Sequence, residues 1–257
     1  LVNGTTALGM AASTVGGNRT LTTGHAAGIS DSGNVVVGGN FSATTDDNNG
    51  VISVGTMQVD GTVALTTNGN GAATIVNDAG LNFAASTVTG ALTATATTGN
   101  ITDSGNLTVT GTSSFTTSAS NATITLDATN ALASAVTLST TGSSANATID
   151  NGTTALDIAA STVGGNLILT TGHVSGITDS GTVTVGGNFS ATTDANNGVI
   201  NVGSMAVDGT VALATNGNGA ATIVNDAGLN FAASTVTGAL TATATTGNIT
   251  DSGALTI

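Results

Sequence analysis

Side chains that could carry out chemistry are scarce in this sequence of 257 residues. The acids number 14 and all are Asp, the only cationic side chain is that of Arg19, and two histidines complete the set, since Cys, Lys, Glu and Tyr do not occur. Two carboxylates held about 5 to 9.5 Å apart can hydrolyse a glycosidic bond, and several aspartates around one point can bind Ca²⁺. The spacing of the aspartates therefore decides whether either chemistry is available.

Four aspartates open the same turn signal, Asp-Ser-Gly, at Asp31, Asp103, Asp179 and Asp251. They recur about every third unit of the short repeat described below, which predicts one column with a spacing of about 14 Å at β-strand separations. That distance is too long for two carboxylates to act on one bond. Because Asp side chains accept hydrogen bonds from backbone N–H groups in turns, we expect a structural role, with an isolated Ca²⁺ site as the alternative.

Two other motifs invite a metal-site interpretation. His25 and His173 occupy one repeat position, 148 residues apart. This predicts a separation of six rungs, or about 29 Å, and a place in a surface turn. The sequence "DDNNG" at 46–50 loosely resembles a calcium loop, but Ala195 replaces Asp47 in its second copy, and EF-hand spacing with its closing Glu is missing. We predict no catalytic, cofactor-binding or metal-binding residue.

The elements that carry these residues are repeats. Residues 3–109 align with 151–257 without gaps, with about 91 identities in 107 positions, so a 148-residue long repeat is present twice. Each long repeat consists of two sub-repeats of about 74 residues: "ISDSGNVVVGGNFSATT" at 29–45 parallels "ITDSGNLTVTGTSSFTT" at 101–117. Self-similarity of this kind indicates a modular array.

A shorter phrase, close to T-V-x-G-x-L-x-x-T-T, recurs along the whole chain. Its anchors lie 21 to 29 residues apart, with a mean of about 24, a period typical of solenoids. Apolar residues alternate within the phrase, as in Leu107, Val109 and Phe115, which indicates strands with one buried face. We predict about ten rungs of roughly 25 residues. The anchors are Val15, Val37, Val59, Val88, Val109, Val136, Val163, Val185, Val207, Val236 and Ile257.

Composition favours the same fold. Straight-chain helix formers are almost absent, whereas Thr, Val, Gly, Asn and Ser, the residues of strands and tight turns, dominate. One rung cannot bury its apolar face alone, but stacked rungs can. We therefore predict an all-β chain, a single parallel β-helix (β-solenoid) over 1–257, right-handed by the crossover rule. A row of β-sandwich modules is the alternative, which the absence of Trp, Tyr and Pro disfavours.

Charge and composition also argue against several functions. The formal net charge of −13 disfavours nucleic acid as a partner, and no apolar run of about 18 residues is present for membrane insertion. The Gly-rich stretches "TVGGN" and "NGNGAA" lack the Lys and the following helix of phosphate-binding loops. A polysaccharide-cleaving groove would need Arg or Lys beside its acids, and an aromatic sugar platform would need Trp or Tyr. We expect a non-enzymatic protein without a cofactor.

Paired threonines are the most regular surface feature, and one member of each pair should form an outward ladder. Ice-binding β-solenoids use such a face, so an ice-binding module is our alternative function, although Ala96 and Ala214 interrupt the ladder. A calcium-binding β-solenoid, which would use the aspartates, is the other form of this alternative. The threonine pairs are Thr22-Thr23, Thr44-Thr45, Thr66-Thr67, Thr116-Thr117, Thr170-Thr171, Thr192-Thr193 and, nearer its anchor, Thr140-Thr141.

The sequence also contains Asn-x-Ser/Thr triplets, which leave glycosylation open. They begin at Asn3, Asn40, Asn121, Asn188 and elsewhere.

The phrase "AASTVGGNLILTTGHVSGITDSGTVTVGGNFSATT" at 159–193 resembles the repeats of filamentous-haemagglutinin-type adhesins and of β-helical autotransporter passengers. The resemblance spans essentially the whole chain. It implies a right-handed parallel β-helix, a location on the bacterial cell surface, and a role as an adhesive or structural fibre. Receptor binding through Arg-Gly-Asp gains no support, since Thr20 follows Arg19.

We therefore expect an extracellular, acidic and non-catalytic segment of a bacterial surface fibre or adhesin stalk. Stacked columns of Val, Ile, Leu and Phe would make the segment stiff. Self-association is predicted, either side by side or end to end into a filament through unpaired strand edges. A host or neighbouring-cell surface is a further candidate partner.

Overall fold

A computed structural model describes residues 1–46, 49–194 and 197–257. In these residues every regular element is a β-strand, and the strands pair in parallel with strands of the preceding and following turns. The chain forms an all-β parallel β-solenoid of about 12 turns, which confirms the predicted fold. Its strands belong to two sheets, called sheet 1 and sheet 2 below.

Sheet 1 contains β1 (Leu8–Met10), β2 (Ser13–Val15), β4 (Ile29–Asp31), β5 (Val35–Val37), β7 (Ile52–Val59), β9 (Ala73–Asn77), β12 (Leu92–Ala96), β15 (Ser113–Ser120), β18 (Val136–Thr141), β20 (Leu156–Ile158), β21 (Ser161–Val163), β23 (Ile177–Asp179), β24 (Val183–Val185), β26 (Ile200–Val207), β28 (Ala221–Asn225) and β31 (Leu240–Ala244).

Sheet 2 contains β3 (Arg19–Thr23), β6 (Phe41–Thr45), β8 (Thr62–Thr66), β10 (Leu81–Phe83), β11 (Ser86–Val88), β13 (Ile101–Asp103), β14 (Leu107–Val109), β16 (Ile124–Leu126), β17 (Ala131–Leu132), β19 (Ala147–Asp150), β22 (Leu167–Thr171), β25 (Phe189–Thr193), β27 (Thr210–Ala214), β29 (Leu229–Phe231), β30 (Ser234–Thr235), β32 (Ile249–Asp251) and β33 (Leu255–Thr256).

The rungs are shorter and more numerous than the sequence predicts. Strand pairing places successive turns 19 to 23 residues apart, so about 12 turns replace the predicted ten. The estimate was too low because the Val anchors do not share one sheet. Val59 ends a strand of sheet 1, whereas Val88 ends a strand of sheet 2. The 29-residue step between these two anchors therefore covers one turn and part of the next.

Each sub-repeat spans three and a half turns. From Ile29, three successive pairings on sheet 1 lead to Ile52, Ala73 and Leu92. Ile101, which the sub-repeat alignment equates with Ile29, lies half a turn further along, in β13 of sheet 2. Equivalent positions of the two sub-repeats therefore face opposite ways, and two sub-repeats together restore the register. The long repeat accordingly spans seven turns.

The two sheets exchange roles within each long repeat. Sheet 1 begins with kinked pairs of short strands, such as β4 and β5, opposite straight strands of sheet 2, such as β6. From β9 to β18 sheet 1 is straight and sheet 2 is kinked, and from β20 the second long repeat returns to kinked pairs in sheet 1. The exchange takes place in the rung at 52–66, which we call the adapter rung. Its strand β7 pairs with β4 and β5 on one side and with β9 on the other, through a bulge between Val54 and Met57.

The interior is one continuous apolar column. The predicted alternation is confirmed, since Leu107, Val109 and Phe115 are at most 1% exposed. The rings of Phe83 and Phe115 meet edge to face, with centroids 6.5 Å apart. Burial of one such side chain contributes about 1.5–3 kcal/mol, so the stacked interior supplies the main stabilisation. All five Phe are fully buried: Phe41, Phe83, Phe115, Phe189 and Phe231.

Candidate functional site

The two histidines lie in equivalent surface turns. In each turn the imidazole Nδ1 accepts a hydrogen bond from the backbone N–H two residues later, Ala27 for His25 and Ser175 for His173, both at 3.0 Å. Seven turns separate them rather than the predicted six, which corresponds to roughly 34 Å at β-strand spacing. The two imidazoles therefore do not share a ligand, and the predicted role in a turn is confirmed.

The Asp-Ser-Gly aspartates do not form one column. Asp31 and Asp179 end strands of sheet 1, whereas Asp103 and Asp251 end strands of sheet 2. The predicted single column with a spacing of about 14 Å is wrong, because the step from Asp31 to Asp103 covers three and a half turns. Successive members alternate between the sheets, so two of these carboxylates are not brought to one point.

Asp31 and Asp179 hold the adapter rungs. Asp31 Oδ1 accepts a hydrogen bond from Gly55 N at 2.9 Å, and Oδ2 accepts from the backbone N and Oγ1 of Thr56, both at 2.7 Å. Both donors belong to the bulge of β7. In the second copy the carboxylate of Asp179 accepts from the equivalent backbone N–H groups at 2.8 and 2.6 Å. The predicted structural role is confirmed, but the bonded backbone groups lie in a strand bulge of the next rung and not in the turn that these aspartates open.

Asp103 makes the corresponding contacts on sheet 2. Its Oδ1 accepts from Asp127 N at 3.0 Å and from Ala128 N at 3.3 Å, and its Oδ2 accepts from Asn130 Nδ2 at 2.7 Å. The donors again lie one turn further along the chain. These aspartates therefore join neighbouring rungs, and their oxygens are occupied by backbone and amide donors.

The calcium-like motif at 46–50 is covered only in part, since Asp47 and its counterpart Ala195 lie outside the described residues. Within the described part of the chain, no group of three or more His, Cys, Asp or Glu is arranged to hold a metal ion. Nor does a helix there have the length and apolar character needed to cross a membrane.

Each threonine pair has one inward and one outward member. Outward Thr22, Thr44 and Thr66 pair in succession on sheet 2, which confirms the predicted ladder. The equivalent ladder of the second copy ends at Ala214, whereas Ala96 is fully buried and does not interrupt an outward column. The inward members are Thr23, Thr45, Thr67, Thr117, Thr140, Thr171 and Thr193.

The inward threonines have a structural task that sequence analysis did not predict. Thr45 Oγ1 donates to Gly50 O at 2.8 Å, and Thr67 Oγ1 donates to Gly71 O at 2.6 Å. A backbone carbonyl buried without a partner would cost about 1–3 kcal/mol. These two hydroxyls thus satisfy a carbonyl of the turn that follows their strand, whereas Thr23 and Thr171 donate to Thr6 O and Thr154 O of the preceding rung.

A second set of outward hydroxyls covers sheet 1 from β9 to β18, and we call it the hydroxyl face. It consists of two adjacent columns that run across four consecutive rungs. The rows are spaced by the β-sheet separation of about 4.8 Å. The columns are Thr74, Thr93, Ser114 and Thr137, and Val76, Thr95, Thr116 and Ser139.

Asparagines supply many of the polar bonds between rungs. Asn18 Oδ1 accepts from Asn40 N at 2.9 Å, and Asn40 Oδ1 accepts from Thr62 N at 2.9 Å. Asn188, the copy of Asn40, accepts from Thr210 N at 2.8 Å. Asn40 and Asn188 therefore use their side-chain carbonyls to join rungs, whereas Asn3 donates through Nδ2 to Thr6 O and Ala7 O.

Buried asparagines stabilise the corners from inside. Asn77 Oδ1 accepts from Val59 N at 2.8 Å, and its Nδ2 donates to Val59 O at 3.1 Å and to Gly80 O at 2.6 Å. Asn225 makes the same contacts in the second copy. Even the single guanidinium is engaged, since Arg19 Nη1 donates to Ser13 Oγ at 2.9 Å. These polar groups serve the backbone, and none of them forms a reactive cluster.

Comparison with protein families gives one match. Residues 70–139, 144–201 and 218–257 match the family described as repeats of unknown function, DUF5649. The chain belongs to this family. The matched segments lie in both long repeats and cover strands of both sheets, so this DUF5649 protein is a repetitive β-solenoid. Comparisons with curated proteins and with solved structures gave no match.

Proposed function

We propose that this DUF5649 protein is a non-catalytic structural segment of an extracellular bacterial fibre or adhesin stalk. One observation carries the proposal: parallel pairing joins each rung to the next from β1 to β33 over a continuous apolar interior. At about 4.8 Å for each turn, some 12 turns give a stack roughly 58 Å long. Bending such a stack breaks backbone hydrogen bonds, so it resists deformation.

Surface chemistry supports a place outside the cell. One Arg and no Lys leave a single site for trypsin-like proteases, and Arg19 lies within β3. The net charge of −13 favours solubility over association with anionic surfaces. The adhesin assignment itself rests on the resemblance of residues 159–193 to filamentous-haemagglutinin-type repeats.

Location is tested with antibodies raised against the purified chain. Intact cells of the source organism should be labelled as strongly as permeabilised cells, and external protease should remove the label. Labelling that needs permeabilisation would contradict the proposal. A cytoplasmic protein detected in the same samples controls for cell integrity.

Self-association is the predicted partner interaction. Unpaired strand edges are templates for further pairing, and the outer faces present regular ladders for lateral contact. Electron microscopy of the purified chain over a range of concentrations should show rods that lengthen or bundle as concentration rises. Monodisperse short rods at every concentration would contradict this part of the proposal.

Ice binding is a second candidate because the hydroxyl face offers two regular columns on four consecutive paired strands. Val76 and the mixture of Thr and Ser make the array less uniform than two pure Thr columns would be. A thermal-hysteresis assay decides the matter. A freezing hysteresis that Thr95→Leu abolishes would support ice binding, and its absence in the unmodified chain would exclude it.

A further inference from the structure

Two clefts of the same composition lie on the surface, one in each long repeat. The first has a volume of about 370 Å³ and is lined by 59–61, 79–82, Asn100 and Thr102. The second has a volume of about 410 Å³ and is lined for the most part by the residues 148 positions later, among them Asp208. A feature that appears in both copies follows from the repeated sequence itself.

The clefts form because successive corners differ in length. The corner of the adapter rung has only residues 60–61 between β7 and β8, the next corner has 78–80, and the one after has 97–100. A short corner beside longer ones leaves a step in the surface. Gly61 and Gly80 line this step, and both pack closely on the neighbouring rung, since a Cβ would lie 2.4 Å from Asn40 Oδ1 at Gly61 and 3.2 Å from Asn100 O at Gly80.

Asn82 interrupts the polar ladder in the first cleft. The outward column of sheet 2 pairs Thr62, Asn82, Thr102 and Thr125 in succession. Among the described residues, the buried Oδ1 of Asn82 has no hydrogen-bond partner, and the same holds for Asn230 Oδ1 in the second cleft. An unpaired buried acceptor costs about 1–3 kcal/mol. Asn82, in a column otherwise made of Thr, therefore lowers the stability of the solenoid when nothing is bound in the cleft.

The other sub-repeat shows that a partner is available when this position has only a structural role. Its equivalent there is Asp157 in the second long repeat and Gly9 in the first, and Asp157 Oδ1 accepts a hydrogen bond from Thr178 Oγ1 at 3.2 Å. Thr178 is the paired residue of the next rung, as Thr102 is for Asn82. The unpaired amide is thus specific to the clefts.

We propose that each cleft binds a neutral saccharide unit. Asp60 offers an exposed carboxylate, Thr102 a hydroxyl, and Asn82 an amide whose half-turn exchanges donor and acceptor. Asn100 Oδ1 accepts a hydrogen bond from Thr123 N, which leaves the amide N–H groups of Asn100 as donors for a ligand. This mixture of donors and acceptors matches the hydroxyls of a sugar ring.

Charge and spacing narrow the ligand class. The clefts contain no cationic side chain and the chain carries a net charge of −13, which opposes uronic acids and other anions. Seven turns separate the clefts, or roughly 34 Å, and the long repeat places them on the same side of the solenoid. A neutral polysaccharide can therefore occupy both clefts and gain avidity.

The test is a titration of the purified chain with neutral oligosaccharides (glucan, mannan and galactan fragments). Binding is measured by isothermal titration calorimetry and by ligand-observed NMR. At least one neutral series should bind with two sites per chain, and oligogalacturonate should not. Asn82→Thr, which restores the ladder residue, should leave one site, and Asn82→Thr with Asn230→Thr should leave none, at a melting temperature that rises because two unpaired buried acceptors are removed. Thr125→Ala lies in the same column outside the cleft and should retain both sites.

Three results would overturn the proposal. One is the absence of binding to every neutral series, and another is binding that survives the double variant. The third is a response to Ca²⁺ alone that the double variant abolishes, which would make the clefts cation sites. Each of these results is independent of where in or on the cell the chain is located.

Discussion

The two sub-repeats of each long repeat use the same sequence phrases on opposite sides of the solenoid. The phrase at 29–31 forms a strand of sheet 1, and its equivalent at 101–103 forms a strand of sheet 2. The difference arises because side chains pack against neighbours one turn away, whereas the duplicated unit is three and a half turns long. Sequence similarity therefore identifies positions with the same local role, even though they lie on opposite faces.

Packing in the two regions is equivalent but not identical. Where the first sub-repeat has Phe41 and Ala43 inward, the second has Ser113 and Phe115 at the aligned positions. A large and a small residue have exchanged places, so the filled volume is nearly conserved. The comparison predicts which positions tolerate the residue found in the other region and which do not.

The largest effect is expected for Gly28→Asn, which introduces the residue of the second region, Asn100. Gly28 has φ +66°, and a Cβ at this position would lie 1.7 Å from Val51 O. Asn tolerates positive φ better than most other side chains. Most of the measured loss therefore comes from the steric clash and not from backbone strain. We expect a loss of more than about 4 kcal/mol, measured by urea unfolding.

The reverse change, Asn100→Gly, is the matched control. It removes the hydrogen bond from Thr123 N to Asn100 Oδ1, and we expect a loss of about 1 kcal/mol. If the two substitutions had equal effects, the corners of the two regions would be equivalent, contrary to the structure.

Asp31→Ala should have the next largest effect, because the adapter bulge loses three hydrogen bonds to a carboxylate. Bonds to charged groups contribute about 1.5–3 kcal/mol, and a loss in this range is expected in the same unfolding measurement. Asp31→Asn keeps one acceptor and should lose less. The control is Asp78→Ala at an exposed carboxylate, and a loss there as large as for Asp31 would refute the specific role.

Inward and outward threonines should differ clearly. Thr67→Val removes the donor to Gly71 O and the acceptor for Thr89 N, so we expect a loss of about 1–3 kcal/mol. Thr66→Ala should change stability by less than about 0.5 kcal/mol, since the second copy already has Ala214 there. Equal losses in thermal or urea unfolding would show that the pair is not divided between core and surface.

A modest and stabilising effect is expected for Ser113→Ala. Ser113 is 2% exposed, and its Oγ has no hydrogen-bond partner among the described residues. Removal of this hydroxyl should raise the free energy of unfolding by about 1 kcal/mol. The neighbouring outward Ser114→Ala serves as the control, with no change expected. A destabilised Ser113→Ala would mean that the hydroxyl has a partner after all.

The fold could be predicted from the sequence because each rung repeats the same pattern of alternating apolar residues and turn residues. Alternating residues such as Val63 and Leu65 indicate an inward face, and Gly or Asn marks the corners. The turn length could not be predicted in the same way. A count of the Val anchors gives the number of turns only if every anchor lies on the same sheet. The half-turn in each sub-repeat places Val59 on sheet 1 and Val88 on sheet 2.

The polar roles were the least predictable part of the structure. Asp31 bonds to a bulge 24 residues later, and Asn40 bonds to a backbone group 22 residues later. No local signal distinguishes such a residue from any other turn residue. The clefts were also missed, because they depend on corners of three successive rungs and on an unpaired amide at Asn82.

The half-integral length of the sub-repeat has a consequence for how such proteins change over generations. Unequal exchange between neighbouring sub-repeats joins matching phrases, so local packing at the junction survives. Everything beyond the junction is then rotated by half a revolution about the long axis. Exchange of an entire long repeat, which spans seven whole turns, changes only the length of the solenoid. Variants of one gene can thereby point the same distal surface in opposite directions.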